Sequence, residues 1–420
     1  YHFMKIGFLG LGKLGLPVAL AVENKGHKVF GYDISSNVKS FIKLKKIPYR
    51  EVEAPKLLKK SKLELVEIKE LVSKSEIIFV PIQTPHDKKY EGINIIPKKR
   101  VDFDYKFLKK GIKNLADEIK NQKKNKVVII ISTVLPGTTS REIKPLLNKY
   151  VKLCYNPFFI AMGTTIQDFL KPEIILFGVD DNQAAKKAEK FYKTINNSPF
   201  FKTTIENAEL IKVCYNTFIS TKIAFINTVM ELCHNLPNTN VDEVSKALSM
   251  CNNRIISNKY LIGGMGDGGG CHPRDNIALS WLAKKKKLSM DWFEATMIQR
   301  ENQTKWFVKL IKKHLPKNKK LYILGQTFKP ETNITTGSPS ILLENFLKSK
   351  KIKFVRYDPF INKKKPKFET GLYFIGTKHN KFKKLKFPKK STIIDPFRYI
   401  PKSPNIKLIS LGKTSHQLPK

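Results

Sequence analysis

The chain has 420 residues, too many for one core of ordinary size, so two or three domains are expected. Its hydrophobic content of 41% supports packed domains, and no apolar run approaches the ~20 residues that cross a bilayer, which predicts a soluble protein without membrane insertion. The formal charge of +43 comes from lysines spread along the whole chain, without stacking aromatics or a nucleic-acid motif. That pattern reads as a solvated basic surface, not a nucleic-acid face, and it suits the steering of an anionic ligand. The start, Tyr1-His-Phe-Met-Lys-Ile-Gly7, shows no basic leader or apolar h-region. The five cysteines, Cys154, Cys214, Cys233, Cys251 and Cys271, form no CxxC or Cys/His metal spacing, and an odd number does not suit a disulfide framework. No metal is expected, and the cytoplasm is the expected compartment.

From Lys5 to about residue 200, short apolar runs alternate with amphipathic stretches, the pattern of a parallel α/β sheet. Strands are predicted at Lys5 to Leu9, Lys28 to Tyr32, Ile77 to Val80, Val127 to Ile131, Leu153 to Tyr155 and Ile174 to Phe177. Glu206 to Leu236 contains no Gly and its apolar residues recur at helical spacing, so one long helix is expected there, bridging two domains. A second α/β unit is predicted from strands at Leu321 to Leu324, Lys353 to Tyr357, Tyr373 to Ile375 and Thr392 to Ile394. The fold class is therefore α/β: an N-terminal Rossmann domain, a central helical domain and a C-terminal Rossmann-like domain.

At the first strand's end, Gly10-Leu11-Gly12-Lys-Leu14-Gly15 is a G-x-G-x-x-G run that opens a helix. Such glycines permit a tight turn and the close approach of a pyrophosphate to the helix N-terminus. The next strand ends in Asp33, 18 residues beyond Gly15, close to the ~20 expected of an acid that binds a ribose diol. Ser35 and Ser36 follow, with no Arg to hold a 2′-phosphate, so NAD is the expected cofactor.

Gly263-Gly-Met-Gly-Asp-Gly-Gly-Gly-Cys271-His-Pro-Arg-Asp275 places six glycines in eight residues ahead of a cysteine. The glycines are read as leaving backbone N–H groups open to a ligand. Pro273 suits the first turn of a helix starting at Cys271, and a helix N-terminus activates a thiol as a nucleophile. Asp275, four residues on, shares its face and is placed to manage protons or water. His272 points away and reads as structural. On the long helix Lys212 and Asn216 stand one turn apart, a cation and an amide able to stabilise developing negative charge on oxygen.

Together these segments, with Thr84-Pro85, Ser132-Thr133-Val-Leu-Pro-Gly-Thr138, Asn156-Pro157, Gly325-Gln-Thr-Phe-Lys329-Pro330 and Tyr357-Asp-Pro359, resemble the UDP-glucose/GDP-mannose dehydrogenase family, in family order from about Lys5 to Ile400. The resemblance implies an NAD-binding domain over 4–203, a helical dimerisation domain over 204–305 and a domain over 306–420 that holds the sugar nucleotide. It implies a homodimer or larger homo-oligomer acting on a nucleotide sugar. Carried over, Gly10, Leu11, Gly12, Leu14, Gly15, Asp33, Thr84, Thr133 and Arg274 hold NAD. Cys271, Lys212, Asn216, Asp275 and Thr133 carry the chemistry. Phe159, Ile160, Lys212, Asn216, Arg254, Tyr260, Gly268 and Lys329 meet the substrate.

Three departures stand out. Phe158 and Met162 replace acids that usually follow Asn-Pro, Thr336 stands where an NAD-side Arg is expected, and His-Pro-Arg follows Cys271 instead of an apolar residue with Pro-Lys. The implied reaction is a four-electron oxidation of a C6 alcohol to a uronate through a Cys271 thioester, with UDP-glucose as first choice. UDP-N-acetylhexosamines and GDP-mannose stay open as substrates. A single-oxidation dehydrogenase of the hydroxy-acid type is the rival, although it needs neither Cys271 nor a second α/β domain.

Overall fold

The computed structural model describes residues 3–252, 260, 262–266, 269–287 and 291–413. The chain divides into two compact units, residues 1–85 with 103–214, and residues 86–102 with 215–420.

The first unit is built on an eight-stranded sheet of β1 (Lys5–Leu9), β2 (Lys28–Tyr32), β3 (Glu64–Leu65), β4 (Ile77–Val80), β5 (Lys126–Ile130), β6 (Val151–Tyr155), β7 (Ile175–Val179) and β8 (Phe200–Thr203). Their order is β3-β2-β1-β4-β5-β6-β7-β8. The runs Ile-Ile-Phe-Val of β4 and Lys-Val-Val-Ile-Ile of β5 are buried at every position, as strands covered on both faces require. The helix Gly15–Asn24 lays Leu16, Val18, Leu20 and Val22 into the same core, where Phe8 and Phe79 stack with ring centres 5.4 Å apart. The strand order reverses between β1 and β4, and the crevice beyond the carboxyl ends of strands at such a switch point is where open α/β sheets bind ligands.

The second unit contains a five-stranded sheet of β9 (Lys320–Leu324), β10 (Val355–Tyr357), β11 (Gly371–Ile375), β12 (Ser391–Asp395) and β13 (Ile406–Ser410). Its order is β10-β9-β11-β12-β13 and every described pairing is parallel. Phe307 and Ile311 of the helix Trp292–His314 share a core with Leu321 and Ile323, while Tyr322 and Tyr373 stack at 4.5 Å within a second cluster. Residues 86–102 belong to this unit. Tyr90 and Ile96 pack with Ile277 and Met297, and Arg100 pairs with Glu294 at 2.9 Å.

The predicted α/β, helical, α/β succession is present, and the long helix runs from Ile205 to Asn235. The parallel expectation for the first sheet meets one exception. β7 runs antiparallel to β6 over Cys154↔Val179 and Tyr155↔Gly178, because the chain between them turns back after a helix of only six residues. The fourteen-residue helix Asn182–Ile195 then restores a parallel crossover to β8. Strands β3, β8 and β13 lie outside the predicted set. All are edge strands or short, half-exposed segments without a buried apolar run to mark them. Among the described residues no helix is long and apolar enough to cross a membrane.

Candidate active site

In the first unit the glycine turn is folded against its own sheet. Gly10 takes φ +115°, a region natural to glycine, and its N–H donates to Tyr32 O at 2.8 Å. A Cβ on Gly15 would lie 2.2 Å from Gly10 O, so only glycine lets the helix Gly15–Asn24 start this close to β1. Leu14 precedes that helix as its N-cap. At Gly12 nothing lies within 4 Å of an added Cβ, which leaves open space above the turn for a pyrophosphate. Asp33 closes the arrangement: Leu11 N–H donates to Oδ2 at 2.7 Å and Ser35 N–H to Oδ1 at 2.8 Å. These residues fit the cofactor expected of them, with an uncovered turn for phosphate and an acid at the end of β2 for a ribose diol.

The loops that follow β4 and β5 are tied together. Thr84 Oγ1 donates to Thr133 O at 2.7 Å, and Ser132 Oγ donates to Ile82 O. Lys212 is 7% exposed and its ammonium sits 5.2 Å from the centre of the Phe159 ring. Ile160, the other expected substrate contact of this loop, packs partly buried against the core.

In the second unit Cys271 is the first residue of the helix Cys271–Lys285, with Gly270 as N-cap and Pro273 in the first turn. Its side chain is exposed. Cys154, by contrast, is buried, and burial pushes its thiol up to about 12. Asp275 is fully buried on the same helix. Asn216 Nδ2 donates to its Oδ2 at 2.6 Å and Arg274 Nε to its Oδ1 at 3.0 Å. Thus Asn216 and Asp275, expected separately, form one hydrogen-bonded unit, and Arg274 balances the buried carboxylate.

Residues 4–196 match the NAD-binding domain of the UDP-glucose/GDP-mannose dehydrogenase family, and residues 206–302 match the central domain of the same family. The chain belongs to that family. Its cofactor is NAD. The UDP-glucose 6-dehydrogenase of Rickettsia conorii is 28% identical over 366 residues, spanning 85% of this chain and 81% of that protein. Two solved structures share the fold: a UDP-glucose dehydrogenase from Pyrobaculum islandicum (TM-score 0.86, 22% identity, 98% of each chain) and a UDP-D-ManNAc dehydrogenase from Pyrococcus horikoshii (TM-score 0.83, 24% identity, 98% of this chain and 100% of that one).

Two of the positions read from the sequence as departures from this family, Phe158 and Thr336, have packing roles. Phe158 packs partly buried against the core, its ring 5.4 Å from Phe169. Thr336 and Gly337 press on the glycines ahead of Cys271. Gly337 has φ +70°, and a Cβ there would lie 2.2 Å from Gly270 Cα. The glycine loop itself differs from its expected role as an open ligand cradle. Added Cβ atoms at Gly264, Gly266 and Gly269 would meet Phe397, Pro339 and Phe328 at 2.9, 2.3 and 2.5 Å, so these glycines admit protein side chains.

Lys329 lies 5.4 Å from the ring centre of Phe328, which itself packs on Gly269. Tyr260 is 45% exposed with φ +66°. Arg254 and Gly268 lie outside the described residues. Sequence reasoning missed His86, whose ring is pushed down to about 4 by burial and by the charge of Arg274, with Asp275 opposing. Its only sequence signal is adjacency to Thr84-Pro85. Glu209, which opens the Glu-Leu-Ile-Lys212 run and to which the sequence assigned no role, is a fully buried carboxylate three residues before Lys212.

Proposed function

We propose that this chain oxidises the C6 alcohol of a nucleotide-linked hexose to the carboxylate, with UDP-glucose to UDP-glucuronate as the first choice of substrate. The observation that carries the reading is the exposed Cys271 thiol at the first position of a helix that also carries the buried Asp275, to which Asn216 of the long helix donates. A single alcohol oxidation needs no thiol. Capture of an aldehyde does.

Gly10, Leu11, Gly12, Leu14, Gly15 and Asp33 hold NAD, with Thr84, Thr133 and Arg274 completing the set. NAD⁺ supplies the hydride acceptor, one molecule for each of two oxidations. Lys212 and Asn216 stabilise negative charge on the substrate oxygen as the alcohol loses its proton and hydride and becomes an aldehyde. The Cys271 sulfur adds to the aldehyde carbon and forms a thiohemiacetal. Loss of a second hydride and a proton from that adduct leaves a thioester. Water, guided by Asp275, breaks the C–S bond, giving the uronate and the regenerated thiol. Lys329 and Arg254 meet the phosphates, and Tyr260, Gly268, Phe159 and Ile160 line the remainder of the substrate.

The same reading assigns 4–203 to the cofactor, 204–305 to dimerisation and 306–420 to the sugar nucleotide, in a cytoplasmic enzyme. A second copy of the chain suits the long helix, which exposes Phe218 and Phe225 at 51% and 55%, two turns apart on one face. The five-stranded second sheet favours this enzyme over a hydroxy-acid-type dehydrogenase. The test is NAD⁺ reduction across a panel of UDP- and GDP-sugars by the wild-type protein and Cys271→Ser. Reduction with UDP-glucose, lost as sustained turnover in Cys271→Ser while NAD binding persists, supports the proposal. Reduction only with another sugar nucleotide overturns the substrate choice, and uronate production by Cys271→Ser overturns the mechanism.

A further inference from the structure

Glu209 is a buried titratable group that the reaction sequence above does not use. It lies on the long helix one turn before Lys212, and its side chain is wholly out of solvent. An isolated carboxylate in such a place would be costly. Here each oxygen accepts a backbone N–H: Gly137 donates to Oε2 at 2.6 Å and Thr139 donates to Oε1 at 2.8 Å. Gly137 takes φ +85°, so the chain turns sharply at the clamped point before the helical turn Thr139–Ile143. The other end of this loop carries Thr133, whose carbonyl accepts from Thr84.

We propose that Glu209 is a positioning residue for cofactor binding: it fixes the loop from Thr133 to Thr139 on the turn of helix that carries Lys212, without itself touching the reacting groups. The proposal rests on the NAD assignment of that loop. It gives Glu209 a role that Gln fills only in part, since an amide offers one acceptor and turns its NH₂ toward the second N–H.

Burial raises the Glu209 carboxyl above the usual range, against the N–H donors of Thr139 and Gly137 and with help from Glu206. Charged groups on the elements packed around it are Glu206 and Lys212 on its own helix, and Arg141 and Glu142 on the clamped segment. Glu206 is held below the usual range by Ser140, and Glu142 by Lys109 and Arg141, so both stay ionised where Glu209 begins to take up a proton. Protonation removes acceptor capacity from the clamp, so the loop loosens as pH falls.

The test compares wild-type and Glu209→Gln protein by direct NAD⁺ titration and by the pH dependence of that binding. Glu209→Gln is expected to bind NAD⁺ about tenfold more weakly, the scale of one lost charge-assisted hydrogen bond. It should also lack the acid-side weakening seen in the wild type, and kcat for whichever substrate is turned over should change less than KM for NAD⁺. Hydrogen exchange in the wild type, corrected for intrinsic rate, needs no variant: protection of the Gly137 and Thr139 amides should fall on the acid side before the rest of the first unit opens. Unchanged NAD⁺ affinity with an unchanged pH profile, or amide protection insensitive to pH, overturns the proposal. Because titration and exchange do not require turnover, failure of the substrate assignment leaves this test readable.

Discussion

The turns that follow the first strands of the two sheets are built alike and used differently. In the first unit Gly10 N–H donates to Tyr32 O, and in the second Gly325 N–H donates to Tyr357 O, both at 2.8 Å. Asp33 accepts from Leu11 and Ser35, and Asp358 accepts from Gln326 and Phe360. Both glycines have positive φ, +115° and +98°. The divergence comes two residues on. Gly12 stands under open space, whereas Thr327 is buried and its hydroxyl lies 3.1 Å from His379 Nε2. His379 in turn meets Asp358 Oδ2 at 3.0 Å. One turn is left uncovered for a pyrophosphate, and the other is filled by an imidazole and becomes part of the core. The same backbone device is therefore left open or built into the fold according to what stands at one position, and the open copy is the one to which the proposed function assigns the cofactor's pyrophosphate.

The comparison is most exposed to a matched pair of substitutions. Gly12→Val should weaken NAD binding on the order of 100-fold with little change in unfolding, because the fold has room for the side chain and the cofactor does not. Gly325→Ala should do the reverse. Its Cβ would lie 2.5 Å from Thr377 in a backbone conformation unsuited to alanine, so a loss of about 3 kcal/mol in chemical denaturation is expected with the NAD titration of the folded protein intact. Equal effects of the two changes on binding would break the distinction.

Next in size is Asp358→Asn, expected to cost about 2–3 kcal/mol of stability, since it weakens the acceptor of a wholly buried network. Burial pushes the Asp358 carboxyl up, but the hydrogen bonds from His379, Gln326 and Phe360 outweigh it and hold the group below its ordinary value. A carboxyl depressed by folding stabilises at pH above its unfolded pKa, and that contribution is lost as pH falls through the folded value. The Asn variant should therefore lose less stability than the wild type on acidification, a difference that denaturation at pH 7 and below pH 4 measures. The smallest effect is that of Asp33→Asn, which should lower NAD affinity roughly tenfold through the ribose contact. If NADP then binds as poorly as before, the acid serves mainly to hold the turn.

Much of this was legible in the residues. Strands whose β-branched runs are buried on both faces, such as β4, announce themselves, and so do Gly10, Gly15 and Asp33, where backbone geometry permits few side chains. Cys271 was legible because glycine, proline and spacing agree on a helix start. What escaped was set by tertiary partners. The glycines at 264, 266 and 269 have the composition of a ligand loop, yet their neighbours Phe397, Pro339 and Phe328 come from more than fifty residues away in sequence. Glu209 is a polar residue in a helical pattern until Gly137 and Thr139 reach it, and the pairing of Asn216 with Asp275 spans 59 positions. The likeness of the two turns was also hidden, because Gly12 and Thr327 differ at the position that decides use.

The central claim, that the Cys271 thiol carries a second oxidation, is tested most directly by the NADH yield per limiting sugar nucleotide, read with the intact mass of the protein. The account predicts two NADH for each substrate consumed, uronate as product and no released aldehyde, with any trapped intermediate appearing as a mass increase on Cys271. A yield of one NADH with free aldehyde in solution and an unmodified thiol would contradict it.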